Sequence, residues 1–264
     1  MPQPVDVDSL SRFARLRRTV GGIGTAMRQR AALLRGQPPE NAHTPPLKLF
    51  YGELGMLIEP VRILFRPQLP IERAAAPKLV ILLPGFATGP TRMRYMARQL
   101  ERAGHTVKRW GLGHNFGPNE QTIDLLVDRV RDVRTRYGKK VYLVGWSLGG
   151  VMAREVAKRD PDSVAKVVTM GSPFSHTPWS NNIWRPYQAI AGHSVDNLPI
   201  EADLAAKPPV ETVALWSPRD GVVSHRAACG LAHERDRAIA LRCTHLGFPT
   251  APASIMAVVR ELDS

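Results

Sequence analysis

Short apolar runs alternate along this chain with segments whose apolar residues recur at helical spacing. Five runs have the length of buried strands, at residues 78–83, 141–144, 167–170, 213–216 and 238–241. Helical spacing is found at residues 91–103, 121–136, 151–159 and 254–262. Strands that alternate with helices predict an α/β fold with a mostly parallel sheet and helices on both faces.

The sharpest feature of this pattern is the turn after the second apolar run. Residues 145–149 are Gly-Trp-Ser-Leu-Gly, and a helical pattern follows directly. A serine at such a strand-to-helix turn takes a strained conformation that exposes its hydroxyl, and side chains two positions away would collide. Gly145 and Gly149 remove those side chains, and Gly150 lets the helix pack close to the strand. The spacing indicates a nucleophile elbow at Ser147; a tight turn with an incidental serine is the simpler alternative.

A serine hydroxyl is a weak nucleophile, so catalysis needs a base to take its proton and an acid to orient that base. After an elbow of this kind, the acid follows a later strand and the histidine follows the last strand. Asp220 lies in a turn-rich stretch after the fourth run, and His245 comes just after the fifth. We therefore predict Asp220 as the orienting acid and His245 as the base.

The other histidines and aspartates suit these roles less well. His225 and His233 lie in the polar segment 223–237, which has the character of a helix between the last two strands and favours a surface role. Asp196 and Asp203 have no strand directly before them. The remaining histidines precede the elbow or lie in an insertion, where a solvated position is commoner: His43, His105, His114, His176 and His193.

The first apolar run ends in a turn that offers the last part of such a site. Acyl transfer needs two backbone N–H groups that meet the charge on the carbonyl oxygen, one after the nucleophile and one after an early strand. Leu148 and Phe86 occupy these two positions. The Phe86 ring is also predicted to line the acyl site, while an ordinary strand-ending turn is the alternative.

In this order the motifs resemble those of lipases and esterases of the alpha/beta-hydrolase fold, particularly the small bacterial type, over about residues 77–262. The resemblance rests on Pro-Gly-Phe at 84–86, Gly-Trp-Ser-Leu-Gly at 145–149, Ser-Pro-Arg-Asp-Gly-Val-Val at 217–223 and His-Leu-Gly-Phe at 245–248. It implies a triad of Ser147, Asp220 and His245 that works without a cofactor, with the Phe86 and Leu148 amides as the oxyanion hole.

The chain departs from that family at two places. Pro-Gly stands before the oxyanion donor where many such lipases have His-Gly. The residues before Lys78 also lack alternating strands, which predicts a sheet without the first two strands of the full fold.

The expected activity is hydrolysis of a carboxylic ester through an acyl-enzyme, with a lipid or medium-chain acyl ester as substrate. Acyl transfer to an alcohol would use the same residues. An alternative of another class is a non-catalytic binding protein of this fold that docks on membranes.

The connection at residues 172–209 is too long to be a plain loop and predicts a small cap over Ser147. It is rich in aromatic residues, and we expect Trp179 and Trp184 to contact the acyl chain. The alternative is that these rings anchor the cap to the core.

Residues 1–46 are predicted to be a basic arm with a proline-rich linker, ahead of a catalytic domain at 47–264. Residues 9–36 contain seven arginines and no acidic residue, interleaved with apolar residues. This composition predicts peripheral contact with an anionic membrane through an amphipathic helix, although three glycines interrupt the pattern. The alternative is an arm that is partly disordered or packs on the domain. The apolar stretch 47–70 is expected to pack as a helix against the sheet, with a lipid-facing patch as its alternative.

Composition adds limits to this picture. With 264 residues, 44% apolar and 22% charged, the chain suits a single core. The formal charge of +13 would suit nucleic acid, but no recognition motif accompanies it, so no such partner is expected. The cysteines and histidines show no metal-ligand spacing, so no metal is expected. The apolar runs are too short to span a bilayer and no secretory signal is found, which predicts a cytoplasmic protein, peripheral to a membrane at most.

Overall fold

The computed structural model describes residues 28–66 and 68–264, and within them a six-stranded parallel sheet forms the centre. The strands are β1 (Leu79–Leu83), β2 (Thr106–Arg109), β3 (Val141–Trp146), β4 (Val164–Met170), β5 (Glu211–Trp216) and β6 (Arg237–Ala240). Their order across the sheet is β2-β1-β3-β4-β5-β6. The five predicted strands are confirmed. Strand β2 escaped the pattern because it is a four-residue edge strand whose side chains are partly exposed.

Helices surround this sheet and connect its strands. The α-helices with assigned bounds are α1 (Leu47–Gly52), α2 (Glu59–Leu64), α3 (Arg94–Arg102), α4 (Glu120–Tyr137), α5 (Leu148–Arg159), α6 (Trp184–Ala191), α7 (His225–Cys229) and α8 (Pro252–Asp263). Short 3₁₀ helices occur at Glu53–Ile58, Pro90–Met93 and Ala232–Glu234, and residues 28–34 are also helical. No helix of the described residues is both long and apolar enough to cross a bilayer.

Alternate side chains of β1, β3 and β4 enter two separate cores. On β1, Val80 and Leu82 pack with α3 and α8, whereas Leu79, Ile81 and Leu83 pack with α4 and α5. Both faces of the sheet are therefore covered, which explains why its strands are continuous apolar runs instead of alternating ones. Each large side chain buried this way contributes roughly 1.5–3 kcal/mol.

The expected α/β architecture with a parallel sheet and helices on both faces is confirmed. The part of the chain described ahead of Leu79 contains no strand. The parallel register aligns Leu83 with Gly145, Gly145 with Thr169, and Thr169 with Ala214. The carboxyl ends of the strands thus meet along one edge, where α/β proteins build their sites.

Two segments differ from the pattern-based prediction. The stretch 47–66 is not one helix packed on the sheet but α1, a 3₁₀ turn and α2, and most of its large apolar side chains are exposed. Gly52 and Gly55 weaken a continuous helix there. The helix expected over 223–237 ends at Cys229, because Gly230 takes a φ of 68° that leaves the helical region.

The predicted amphipathic helix at 9–36 lies mostly outside the described residues. Its last part, residues 28–34, is helical and exposed on most positions. The linker at 37–46 has no helix or strand. It is held by hydrogen bonds to the cap, where the His43 amide donates to Ser180 Oγ (3.2 Å) and Asn182 Nδ2 donates to the Pro45 carbonyl (3.0 Å).

Candidate active site

Ser147 lies at the junction of β3 and α5 in a strained backbone conformation. Its φ is 53° and its ψ is −126°, a region that residues other than glycine rarely occupy. The Ser147 amide donates to the Met170 carbonyl at 2.8 Å, which fixes the turn to the end of β4. Such strain is what a nucleophile elbow requires to present its hydroxyl above the sheet.

The glycines around Ser147 lie where no side chain would fit. A Cβ at Gly145 would clash with the backbone of Gly149 and Gly150, and one at Gly149 would clash with the Leu83 carbonyl. A Cβ at Gly150 would overlap the Ser172 hydroxyl. The start of α5 therefore lies directly against β3 and β1, and this close approach explains the spacing of the motif.

His245 and Asp220 form a buried pair on neighbouring loops. His245 Nδ1 lies 2.8 Å from Asp220 Oδ2, and both side chains are almost fully buried. The other carboxylate oxygen, Oδ1, accepts the amides of Val222 (2.8 Å) and Val223 (2.7 Å). These bonds hold the Asp220 carboxylate in place, and the bond to Nδ1 orients the imidazole ring.

The loops that carry this pair are also tied to each other. Ser217 Oγ donates to the Cys243 carbonyl (2.6 Å), and the Cys243 amide lies 3.3 Å from Ser217 Oγ. Burial, together with the nearby carboxylates of Asp220 and Glu53, raises the pKa of the Cys243 thiol to about 12, so it stays uncharged near neutral pH. Cys243 acts as a small apolar residue in this position.

Ser147 and His245 line the same apolar cavity, which is open to solvent and measures about 750 Å³ with that open space included. Within the described residues, the Ser147 hydroxyl makes no hydrogen bond with His245. Hydrogen bonds between catalytic groups are often long before substrate binds and tighten afterwards. The Trp146 indole on the other side donates to the His245 carbonyl at 3.0 Å, which fixes the histidine loop to the elbow.

The loop after β1 is held by Asn115, a buried residue that sequence reasoning missed. Asn115 Nδ2 donates to the Pro84 carbonyl (2.8 Å). The backbone carbonyl of Asn115 accepts the Ala87 amide (2.7 Å). These bonds flank Phe86, whose own amide donates to no acceptor within residues 28–66 and 68–264. Nothing in the local pattern around Asn115 marks it, because its partners are distant in sequence.

A second pocket of about 540 Å³ opens beside Ser147 and is lined almost entirely by apolar groups. Its walls include Phe86, Leu148, Val151, Pro173, Ile183, Tyr187, Val195, Leu198, Leu204 and Val223. The Phe86 and Tyr187 rings contact each other with centroids 4.7 Å apart. This pocket is a concave apolar surface that ends at the serine, as an acyl-binding site would.

The cap tryptophans lie behind this pocket instead of in its wall. Trp179 and Trp184 pack edge to face with ring centroids 4.9 Å apart, in a cluster that includes Leu148 and Val151. Tyr187, on the same helix as Trp184, is the cap ring that lines the pocket. The tryptophans thus anchor the cap to the core, which was the alternative to contact with the acyl chain.

Asp196 and Asp203, the other aspartates considered for the acid, form hydrogen bonds within the cap. Asp196 Oδ2 accepts the Trp179 indole N–H at 3.2 Å. Asp203 Oδ1 accepts the amides of Ala205 (3.0 Å) and Ala206 (3.2 Å). Neither carboxylate borders the two cavities that Ser147 lines.

Comparisons with known proteins agree with this architecture. A family model described as alpha/beta hydrolase fold matches residues 78–191. A curated relative, the pimeloyl-[acyl-carrier protein] methyl ester esterase of Aliivibrio fischeri, is 34% identical over 68 residues. That match covers 26% of this chain and only 25% of the relative's own length.

Among solved structures, the mature Bacillus licheniformis lipase is 15% identical with a TM-score of 0.54, covering 74% of this chain and 96% of that one. The propeptide form of that lipase has a TM-score of 0.55 at 18% identity. The match covers 72% of this chain and 52% of the propeptide form. Aspergillus fumigatus lipase B has a TM-score of 0.52 at 17% identity. The match covers 71% of this chain and 53% of the lipase.

The parallel sheet and the likeness to these solved structures show that the chain has the alpha/beta-hydrolase fold, and the family model matches residues 78–191 of it. Within that fold, the protein is similar to esterases and lipases.

Proposed function

We propose that this protein is a serine carboxylic-ester hydrolase that works through an acyl-enzyme. The observation that carries the proposal is the buried hydrogen bond between His245 and Asp220, beside a cavity that the strained Ser147 also lines. A buried imidazole held by a carboxylate, beside a cavity that a serine hydroxyl also lines, is the arrangement that activates a serine.

In the proposed reaction, His245 Nε2 takes the hydroxyl proton as Ser147 Oγ attacks the ester carbonyl carbon. The negative charge that develops on the carbonyl oxygen is met by the Phe86 and Leu148 amides. Leu148 is the first residue of α5, where a helix leaves its N–H groups without internal acceptors. His245 then returns the proton to the departing alcohol, and water activated by His245 releases the acid.

The apolar pocket favours a lipid-like acyl group as the substrate. Its lining is almost without polar groups, which suits an apolar acyl chain better than a charged or sugar-like ligand. Phe86 is the residue that both offers an oxyanion amide and contacts the acyl chain in this proposal.

The test of this proposal is hydrolysis of p-nitrophenyl esters of short, medium and long acyl chains by the native chain and by Ser147→Ala. We expect Ser147→Ala to lower kcat by roughly 10⁴-fold or more, because the acyl-enzyme then has no nucleophile. Asp220→Asn is expected to lower kcat strongly as well, whereas the matched control Asp196→Asn keeps native activity.

Labelling with a fluorophosphonate probe makes the outcomes distinct. A native chain that is folded, unlabelled and inactive would refute the serine-hydrolase proposal. Labelling of Ser147 without ester turnover would instead favour acyl transfer to an acceptor other than water.

We also infer that the protein contacts anionic membranes peripherally. Apolar side chains at the rim of the cavity that contains Ser147 face solvent: Phe50, Leu54, Met56 and Leu57. The basic arm at 9–36 precedes them in sequence, and apolar groups next to excess Arg favour an anionic lipid surface.

Replacing Arg12, Arg15, Arg17 and Arg18 together by Gln tests this inference. We expect weaker co-sedimentation with vesicles that contain phosphatidylserine, since each basic residue near such a surface contributes about 1 kcal/mol. Vesicles of phosphatidylcholine alone are the control. Equal binding of native chain and variant to anionic vesicles would remove the role of the arm.

A further inference from the structure

Glu53 is a buried acidic residue in a segment whose neighbours are mostly exposed. It begins the 3₁₀ helix Glu53–Ile58, and only 4% of its surface is accessible. It lies outside the range 78–191 that the family model matches. A buried carboxylate is costly unless its oxygens are satisfied, so its partners indicate what it does.

The partners of Glu53 are backbone amides of the two loops that carry the His245–Asp220 pair. Glu53 Oε1 accepts the Gly221 amide (2.9 Å) and the His245 amide (2.7 Å), and Oε2 accepts the Leu246 amide (2.8 Å). Gly221 directly follows Asp220. One carboxylate therefore fastens the acid loop to the histidine loop from a position outside the sheet.

A second contact brings this segment onto the acid loop. A Cβ at Gly221 would clash with the Leu49 carbonyl and the Phe50 amide of α1. The backbone of α1 thus lies directly on the loop that follows Asp220, and only glycine permits this approach. The segment carrying Glu53 is seated against the site at this point, although its outer side chains face solvent.

No Lys, Arg or His within the described residues makes a salt bridge to Glu53. Its two carboxylate oxygens are instead satisfied by the three backbone amides. Arg92 holds the other side of the histidine loop, since its guanidinium donates to the Leu246 carbonyl and lies 5.8 Å from the Trp146 ring centroid. Burial lowers the pKa of Arg92, and the carboxylates of Glu59 and Glu53 oppose that shift.

We propose that Glu53 is a positioning residue that fixes the His245–Asp220 pair relative to Ser147. This inference rests on the proposed ester hydrolysis by the same site. Glu53 acts through the backbone of His245 and Gly221, so its loss would displace the base without removing it. A displacement of about 1 Å of a catalytic group lowers the rate by as much as about 100-fold.

The experiment compares Glu53→Ala and Glu53→Gln with the native chain in ester hydrolysis. We expect Glu53→Ala to lower kcat by about 10- to 100-fold with KM changed less than about twofold, because substrate binding does not use these amides. Glu53→Gln keeps one carbonyl oxygen for the Gly221 and His245 amides and is expected to recover most of the lost activity. Fluorophosphonate labelling should slow in parallel with kcat.

The matched control is Glu59→Gln. Glu59 is a buried carboxylate of the same segment, but its salt bridge is to Arg66 (2.9 Å), and within the described residues it makes no hydrogen bond to the loops of Asp220 and His245. We expect its kcat to stay close to the native value. A kcat for Glu53→Ala equal to that of the native chain, or an equal loss in Glu59→Gln, would overturn the proposal.

Backbone amide NMR of Glu53→Gln separates this inference from the proposed function and remains available if Glu53→Ala does not fold. Amide protons that donate to a carboxylate lose a charge-assisted bond on this change, so we expect upfield shifts at Leu246 above all. Unchanged shifts at Gly221, His245 and Leu246 would overturn the role of Glu53. Changed shifts in a protein whose native form neither hydrolyses esters nor reacts with the probe would refute the proposed function alone.

Discussion

The cap and the segment 47–66 border the two cavities that Ser147 lines, but their large apolar side chains are buried to opposite degrees. In the cap, Trp184 is 3% exposed and Tyr187 is 7% exposed. In the segment 47–66, Leu57 is 73% exposed and Phe65 is 83% exposed. The difference lies in the partner surface, because the cap rings pack on the first turns of α5 and the outer residues of the segment meet no counterpart in the described chain.

Different interactions therefore hold the cap and the segment 47–66 in place. The cap is held by buried rings, so its position is part of the stability of the domain. The segment 47–66 is held by polar bonds, among them those of Glu53 to the loops of Asp220 and His245 and that of Arg66 to the Thr250 carbonyl. The exposed apolar side chains of the segment 47–66 are therefore free to contact another molecule or a lipid surface.

Trp184→Ala tests the cap side of this comparison and should have the largest effect on stability. Removing a buried indole leaves a cavity against Trp179, and we expect a loss of about 3–5 kcal/mol in the free energy of unfolding. Urea unfolding followed by circular dichroism measures this loss. Trp184→Phe, which keeps a ring in the cluster, should lose clearly less. A loss below about 1 kcal/mol for Trp184→Ala would mean that the cap is not anchored by its rings.

Leu57→Ser tests the segment 47–66 and should leave stability almost unchanged. Because the side chain is mostly exposed, we expect the free energy of unfolding to stay within about 0.5 kcal/mol of the native value. Binding to vesicles that contain phosphatidylserine should fall, since the apolar contact with lipid is lost.

The control for Leu57→Ser is Leu125→Ser, an exposed leucine on α4 that does not border the cavity. It should keep native vesicle binding. Equal losses in both variants, or none in either, would show that the segment 47–66 is not a lipid-facing surface.

Much of the sheet and the elbow could be predicted because their determinants are neighbours in sequence. The run before Ser147, its flanking glycines and the helix after it lie within about twenty residues, so the pattern contains the whole argument. The position of His245 next to Asp220 could also be inferred, because strand order brings their loops to the same edge of the sheet.

What the pattern missed depends on contacts between distant segments. Asn115 and Glu53 have no local periodicity that separates them from other polar residues, and their partners become visible only in the folded chain. The exposure of the segment 47–66 was missed for the related reason that apolar composition does not state whether a partner surface exists.

The bonds of Glu53 also bear on the order in which the chain assembles. The carboxylate of Glu53 bonds to residues that lie 168 to 193 positions further along the chain. Such distant contacts form only after a large loss of chain entropy. The elbow at Ser147, by contrast, closes between residues that are adjacent in the chain. We therefore expect the turn at Ser147 to form earlier in folding than the bonds by which Glu53 joins the loops of Asp220 and His245.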